Sequence, residues 1–159
     1  MLSRIFPKAA DNASYRGSRI AVWLLVPLAL IRLLQGGNSI WHPVYVATSA
    51  DGIPLSNYPA DASAMVVVLF ALLGLYLVLM GLAALLVAFR YRALTPLTYL
   101  FFLASLLGTR AINTLYPNGR AEGGPSIGVY VNVSLLAALV LGFILSLVGS
   151  RQALQKTED

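Results

Sequence analysis

At 159 residues the chain has room for a single domain; 11% of its residues are charged and 58% apolar, giving a mean hydropathy of +0.79. A water-soluble domain of this size carries roughly 25% charged residues and cannot hide so much apolar surface, so lipid must be the solvent for most of the chain. The absence of cysteine excludes disulfides, thiolate catalysis, iron–sulfur clusters and cysteine-ligated metals, and the net charge of +5 lies at the edges of apolar runs rather than in a patch suited to nucleic acid.

Residues 1–17 are polar and basic, with a small apolar cluster at Leu2, Ile5 and Phe6, and read as a segment lying on the membrane or a frayed tail. The first span is expected at about 19–39. A basic leader before an apolar run also describes a signal peptide, but no small-residue cleavage site closely follows Leu34, so the run reads as a retained helix. Pro27 inside it frees the Trp23 carbonyl, and the Gly36-Gly37 pair is expected to loosen or end the helix. The loop at about 40–62 combines the strand-like Val44-Tyr45-Val46-Ala47-Thr48 with an Asp51-Gly52 turn and Ile53-Pro54-Leu55. Together they predict a short β-hairpin-like flap between the first two helices.

The second span, about 64–89, contains no charge, and Asp61 or Ser63 can cap its start. Thr95-Pro96 supplies an N-cap and a first-turn proline for a third span over about 96–115. Tyr116-Pro117-Asn118-Gly119 marks a turn into a fourth at about 126–148. The expected fold is all-α: one four-helix transmembrane domain over residues 1–159. Arg4, Lys8, Arg16, Arg19, Arg90, Arg92, Arg151 and Lys156 fall on one side of it and Arg120 on the other, which predicts both termini in the cytoplasm.

Small residues make stripes on three of the helices. They are Gly128, Asn132, Leu135, Leu139, Gly142, Ser146 and Gly149 on the fourth; Ala71, Gly74, Gly81, Ala84 and Ala88 on the second; and Ala104-xxx-Gly108 on the third. Helices in lipid associate by close packing at such residues, so each stripe serves either the bundle or a contact with another subunit.

The candidate site is a polar layer near the outer face. Arg32 and Arg110 lie roughly 18 and 21 Å from the inner ends of their helices at about 1.5 Å per residue. Gln35 shares a face with Arg32, Asn113 with Arg110, and Asn132 enters from the fourth helix. An arginine at the centre of a span costs about 2.5–3.5 kcal/mol, so each must find a partner. Asp51, Asp61 and Glu122 are the nearest carboxylates, and the simpler reading is that each arginine snorkels outward or pairs with one of them or a free carbonyl, holding the flap down. An anionic lipid headgroup or a carboxylate from another protein would fit the same guanidinium geometry.

The inventory offers no catalytic set. His42 is the single histidine, which rules out bis-histidine haem ligation within the chain and argues against a histidine metal cluster; no cofactor, metal or nucleic acid is expected. The sequence therefore predicts a non-enzymatic multi-pass membrane protein, an accessory subunit or small binding protein. Its partners would be membrane lipid and another membrane protein, or a second copy through the small-residue faces. The alternative is an oligomeric transporter or channel for a small anion or amphiphile, with a lipid enzyme a distant third. Nine arginines against two lysines fit a GC-rich genome and point to a bacterial inner membrane.

Overall fold

The computed structural model describes residues 15, 17–116 and 127–155. Four helices are long and apolar enough to cross a membrane: α1 (Arg19–Trp41), α2 (Ala60–Phe89), α3 (Thr95–Leu115) and α4 (Ile127–Gln155). They contain 23, 30, 21 and 29 residues, against the roughly 20 that cross a hydrocarbon core.

Local chemistry sets the helix ends. Ser18 is extended and its hydroxyl accepts a hydrogen bond from the Ile20 amide at 3.2 Å, an N-cap for α1. Helix α2 begins at Ala60, four residues before the predicted start, behind Pro59 (φ −54°, ψ 150°), and no side chain caps it. Asp61 instead sits in its first turn, where a negative charge suits the helix dipole. The Ser63 hydroxyl reaches back to the Leu55 carbonyl at 2.9 Å and ties the preceding loop to the helix. At α3 the cap position falls to Leu94, with Pro96 in the first turn. Thr95 lies inside the bundle, fully buried, and its hydroxyl has no hydrogen-bond partner among the described residues.

Two sequence expectations need correction. The flap is not a β-hairpin: among the described residues there is no strand, and residues 43–50 stay helical. Pro43 restarts a turn at Pro43–Tyr45, a position where its missing N–H costs nothing, and this runs into a π-helical turn at Val46–Ala50. The Thr48 hydroxyl donates to the Val44 carbonyl at 2.8 Å, a bond that helical spacing permits and an extended strand does not. Gly52, with φ +70°, takes the left-handed conformation that stops this helical segment, and the Ile53 amide then folds back onto the Ala47 carbonyl at 2.9 Å. Asp51-Gly52 is therefore a helix terminator, and Pro54, lacking a donor, has no ladder to join.

The Gly36-Gly37 pair does not end α1, which continues to Trp41. Gly36 is a packing site. A Cβ built on it would lie 2.6 Å from the Gly74 carbonyl oxygen, and one on Gly74 would lie 2.7 Å from the Gly36 oxygen. Further along, a Cβ on Gly81 would come within 3.0 Å of the Ala29 oxygen. Helices α1 and α2 thus run antiparallel with their backbones in contact, the closeness that small residues permit in lipid.

Helix α1 packs against all three of the others. Helix α3 runs alongside it and inserts Tyr99, Phe102, Leu103 and Leu106 into a core with Leu25 and Leu28. Helix α4 returns antiparallel to α3, burying Leu135, Leu139, Gly142 and Ser146. The Tyr99 ring lies directly against Gly142, where no side chain would fit. Leu135, Leu139, Gly142 and Ser146 of the fourth-helix stripe and most of the second-helix stripe therefore serve the bundle's own packing. The start of α1 and the far end of α4 meet at the same end of the bundle, where the Ser18 amide donates to the Leu145 carbonyl at 3.4 Å. This end, which also holds the α2–α3 connection, is the terminal end; the opposite one, carrying residues 42–59, is the loop end.

Candidate functional site

The predicted polar layer divides into one buried group and one exposed group. Arg32 is 8% exposed, tucked between α1, α2 and α3. Its Nη1 donates to Gln35 Oε1 at 3.3 Å, a pair set three residues apart on one helix face. Its guanidinium carbon stands 5.8 Å from the centroid of the Phe102 ring, within range of a cation–π attraction. The Tyr76 phenol lies within electrostatic reach of it, and that hydroxyl is 3.5 Å from Ser105 Oγ. The guanidinium is thus met by an amide and an aromatic face.

Arg110 is exposed on α3, eight residues beyond Phe102, or about 12 Å further along the helix axis. It is also turned roughly 80° around that axis, since each residue advances a helix by about 100°. The two arginines are therefore not side by side in one cluster. Around Arg110, Asn113 is half-buried, whereas Thr109 and Thr114 are exposed. The two threonine hydroxyls donate to the backbone carbonyls of Ser105 and Arg110, each at 2.9 Å. That satisfies the hydroxyls and leaves Arg110 and Asn113 as the outward polar groups of this segment. Asn132 is half-buried on α4.

The carboxylates have separate places. Asp51 is half-buried at the end of the π-helical turn, where its amide donates to the Val46 carbonyl at 3.0 Å. Asp61 is exposed in the first turn of α2. Glu122 lies outside the described residues. His42 is exposed, and its backbone links α1 to the following turn.

Residues 107–115 of α3 contain no buried position, whereas the first half of the helix buries Thr95, Tyr99, Phe102, Leu103 and Leu106. Ala104 is exposed, and a Cβ on Gly108 would meet nothing within 4 Å. Among the described residues, the third small-residue stripe is therefore not used by the bundle. Sequence reasoning missed Phe102, Tyr76 and Ser105 as neighbours of this region. Tyr76 carried a usable signal, because it is the single hydroxyl in the apolar run from Ala64 to Phe89.

Fold and site together describe an α-helical multi-pass membrane protein with a buried, internally solvated arginine and an exposed, polar half-helix. No family model matches the chain, and no curated protein or solved structure is significantly similar to it.

Proposed function

We propose that this is a non-enzymatic membrane protein, an accessory subunit or small binding protein, that engages a partner through the loop-end half of α3. One observation carries the reading: a helix built to span hydrocarbon presents an exposed arginine beside an open small-residue stripe. Arg110 and Asn113 project from a surface that apolar tails cannot solvate. Ala104 and Gly108 would let another backbone approach closely. A partner's membrane-embedded carboxylate, or the phosphate of a lipid headgroup, would satisfy the guanidinium bidentately. Buried Arg32 and half-buried Gln35, mutually bonded, form the polar interior beside which the partner docks.

The excess of arginine and lysine at the terminal end supports an orientation with that end in the cytoplasm, and the arginine-rich composition supports a bacterial inner membrane. On this reading the exposed half of α3 lies in the outer leaflet.

Native mass spectrometry of the protein extracted in mild detergent tests the proposal. The wild type should carry a protein partner, a second copy or a retained anionic lipid. Gly108→Leu and Arg110→Leu should each release it while leaving the thermal unfolding of the bundle unchanged. Unaltered retention in both variants would sink the reading. Anion flux in liposomes that disappears when Arg32 and Arg110 are neutralised would favour the transporter alternative.

A further inference from the structure

Arg32 leaves most of its hydrogen-bonding capacity unused. A guanidinium carries five N–H donors, and among the described residues the bond to Gln35 is the only one that Arg32 makes. The stretches 12–50, 62–121 and 123–157 contain no acidic residue, so the cores of the four helices offer it no carboxylate. Its depth makes this costly. Ser105, one turn from the Phe102 ring that faces the guanidinium, is the middle residue of α3. Tyr76, whose phenol lies within electrostatic reach of Arg32, falls near the middle of α2. Ser105 is therefore about 15 Å from each end of its helix, and Tyr76 about 20 Å or more. A snorkelling arginine would carry its charge to the headgroups; this one is turned against a ring near the centre of the membrane.

Access to this layer is from the side. Helices α2 and α3 meet loosely, and the Tyr76 and Ser105 hydroxyls face each other across the seam between them. Tyr76 is 45% exposed and Ser105 half-buried, so the seam borders lipid. The two oxygens stand 3.5 Å apart, wider than the roughly 2.5–3.0 Å of a well-formed O–H···O bond. Little is lost if both hydroxyls turn to a third oxygen.

We propose that the α2–α3 seam binds a neutral, membrane-soluble carbonyl compound of the quinone type. A carbonyl oxygen accepts from the Tyr76 and Ser105 hydroxyls, the charge of Arg32 lies behind them, and the apolar tail runs along the lipid-facing side of α2. Two observations select this chemistry. The site presents donors and a positive charge, which suit an oxygen that only accepts. It also lies too deep for a phospholipid, whose phosphate stays at the interface. A carboxylate would attract Arg32 more strongly, but it must first bring its own charge into hydrocarbon. A neutral carbonyl avoids that cost, and the low dielectric strengthens the pull of the guanidinium on its dipole. The site uses no residue of the exposed end of α3, so it does not depend on a partner docking there.

The test uses the full chain in phosphatidylcholine nanodiscs, with Trp23→Phe and Trp41→Phe to remove both native indoles and Leu79→Trp to report on the seam. Leu79 is 58% exposed and one helical turn from Tyr76. Decylubiquinone, whose ring quenches indole fluorescence, is titrated as a mole fraction of lipid. Quenching should saturate, whereas chance collisions in the bilayer rise in proportion to the quinone. Tyr76→Phe with Ser105→Ala should raise the half-saturating fraction about tenfold and Arg32→Met about fivefold. Circular dichroism establishes that each variant is folded, and the hydroxyl pair, which borders lipid, keeps the test alive if Arg32→Met is not. Quenching that stays proportional in the parent, or a half-saturating fraction unchanged in the folded variants, would overturn the site. Decylbenzene has the ring and tail without the oxygens, and displacement as effective as by the quinone itself would overturn the role of the hydroxyls. Displacement by oleate at a lower mole fraction than the quinone requires would overturn the neutral carbonyl in favour of a carboxylate.

Discussion

The two ends of α3 illustrate opposite ways of using a membrane helix. Towards the terminal end its side chains are spent on the bundle: Thr95 and Tyr99 are fully buried, and the Tyr99 hydroxyl donates to the Ala21 carbonyl at 2.7 Å. Beyond Leu106 the same helix buries nothing, although this half holds Thr109, Arg110, Asn113 and Thr114. Polarity therefore does not predict burial along this helix. In water, polar residues outside and apolar residues inside would need no comment; in hydrocarbon the exposed polar half lacks the solvent that would stabilise it, and the buried half is complete without it.

Matched glycines give the sharpest test of this difference. At Gly142, on the part of α4 that faces the packed half of α3, a side chain would run into the Tyr99 ring; at Gly108 it would enter open space. The Tyr99 ring cannot easily yield, because its hydroxyl is anchored to Ala21. Gly142→Leu should cost about 3 kcal/mol or prevent folding, as overpacking against an immobile neighbour does. Gly108→Leu should leave the unfolding midpoint of the bundle within about 0.5 kcal/mol of wild type. Thermal or denaturant unfolding in one detergent measures both. Equal losses would mean that the two halves of α3 are packed alike.

A smaller effect is expected at the hydroxyl itself. Tyr99→Phe preserves the ring and removes one hydrogen bond to a carbonyl that helical bonding can also satisfy, so the loss should be about 1 kcal/mol. The signature to look for is its non-additivity with Gly142→Ala, since the two residues touch. Additive losses would place the hydroxyl outside the packing unit.

How much of this was legible in the sequence depends on the range of the forces involved. The four spans were visible because about 20 consecutive apolar residues is a local property, and their predicted positions differ from the observed ones by a few residues at most of the ends. The α4 stripe was visible because helical periodicity places Leu135, Leu139, Gly142 and Ser146 on one face whatever they touch. The loop was misread because Asp51-Gly52 signals positive φ and not the structure around it; whether that glycine turns a hairpin or stops a helix depends on Pro43 nine residues earlier. Gly36 was read as a helix breaker because its partner, Gly74, lies 38 residues away. The arginine layer was inferred from depth alone. Counting residues along each helix leaves out both the offset between neighbouring helices and the rotation about each axis, and the two together separate buried Arg32 from exposed Arg110.

Those two arginines give the smallest predicted changes in stability. Among the described residues the hydrogen-bond and ring contacts of Arg32 are uncharged, so its stability contribution combines the Gln35 bond, the Phe102 contact and the cost of a charge held away from water. Arg32→Met keeps the length, removes the charge, and should change stability by no more than about 1 kcal/mol in either direction. Arg32→Lys should be worse than Arg32→Met, because it retains the charge and gives up the planar group that meets ring and amide together. At Arg110 the structure supplies no such interior, and Arg110→Leu should shift unfolding by less than about 0.5 kcal/mol. The comparison is sharpest in a double variant: Arg32→Met and Arg110→Leu should add within about 0.5 kcal/mol, as separated sites do. A larger coupling would mean that the two guanidinium groups share a ligand or a counter-charge, and the division between buried and exposed halves would then have to be redrawn around that shared group.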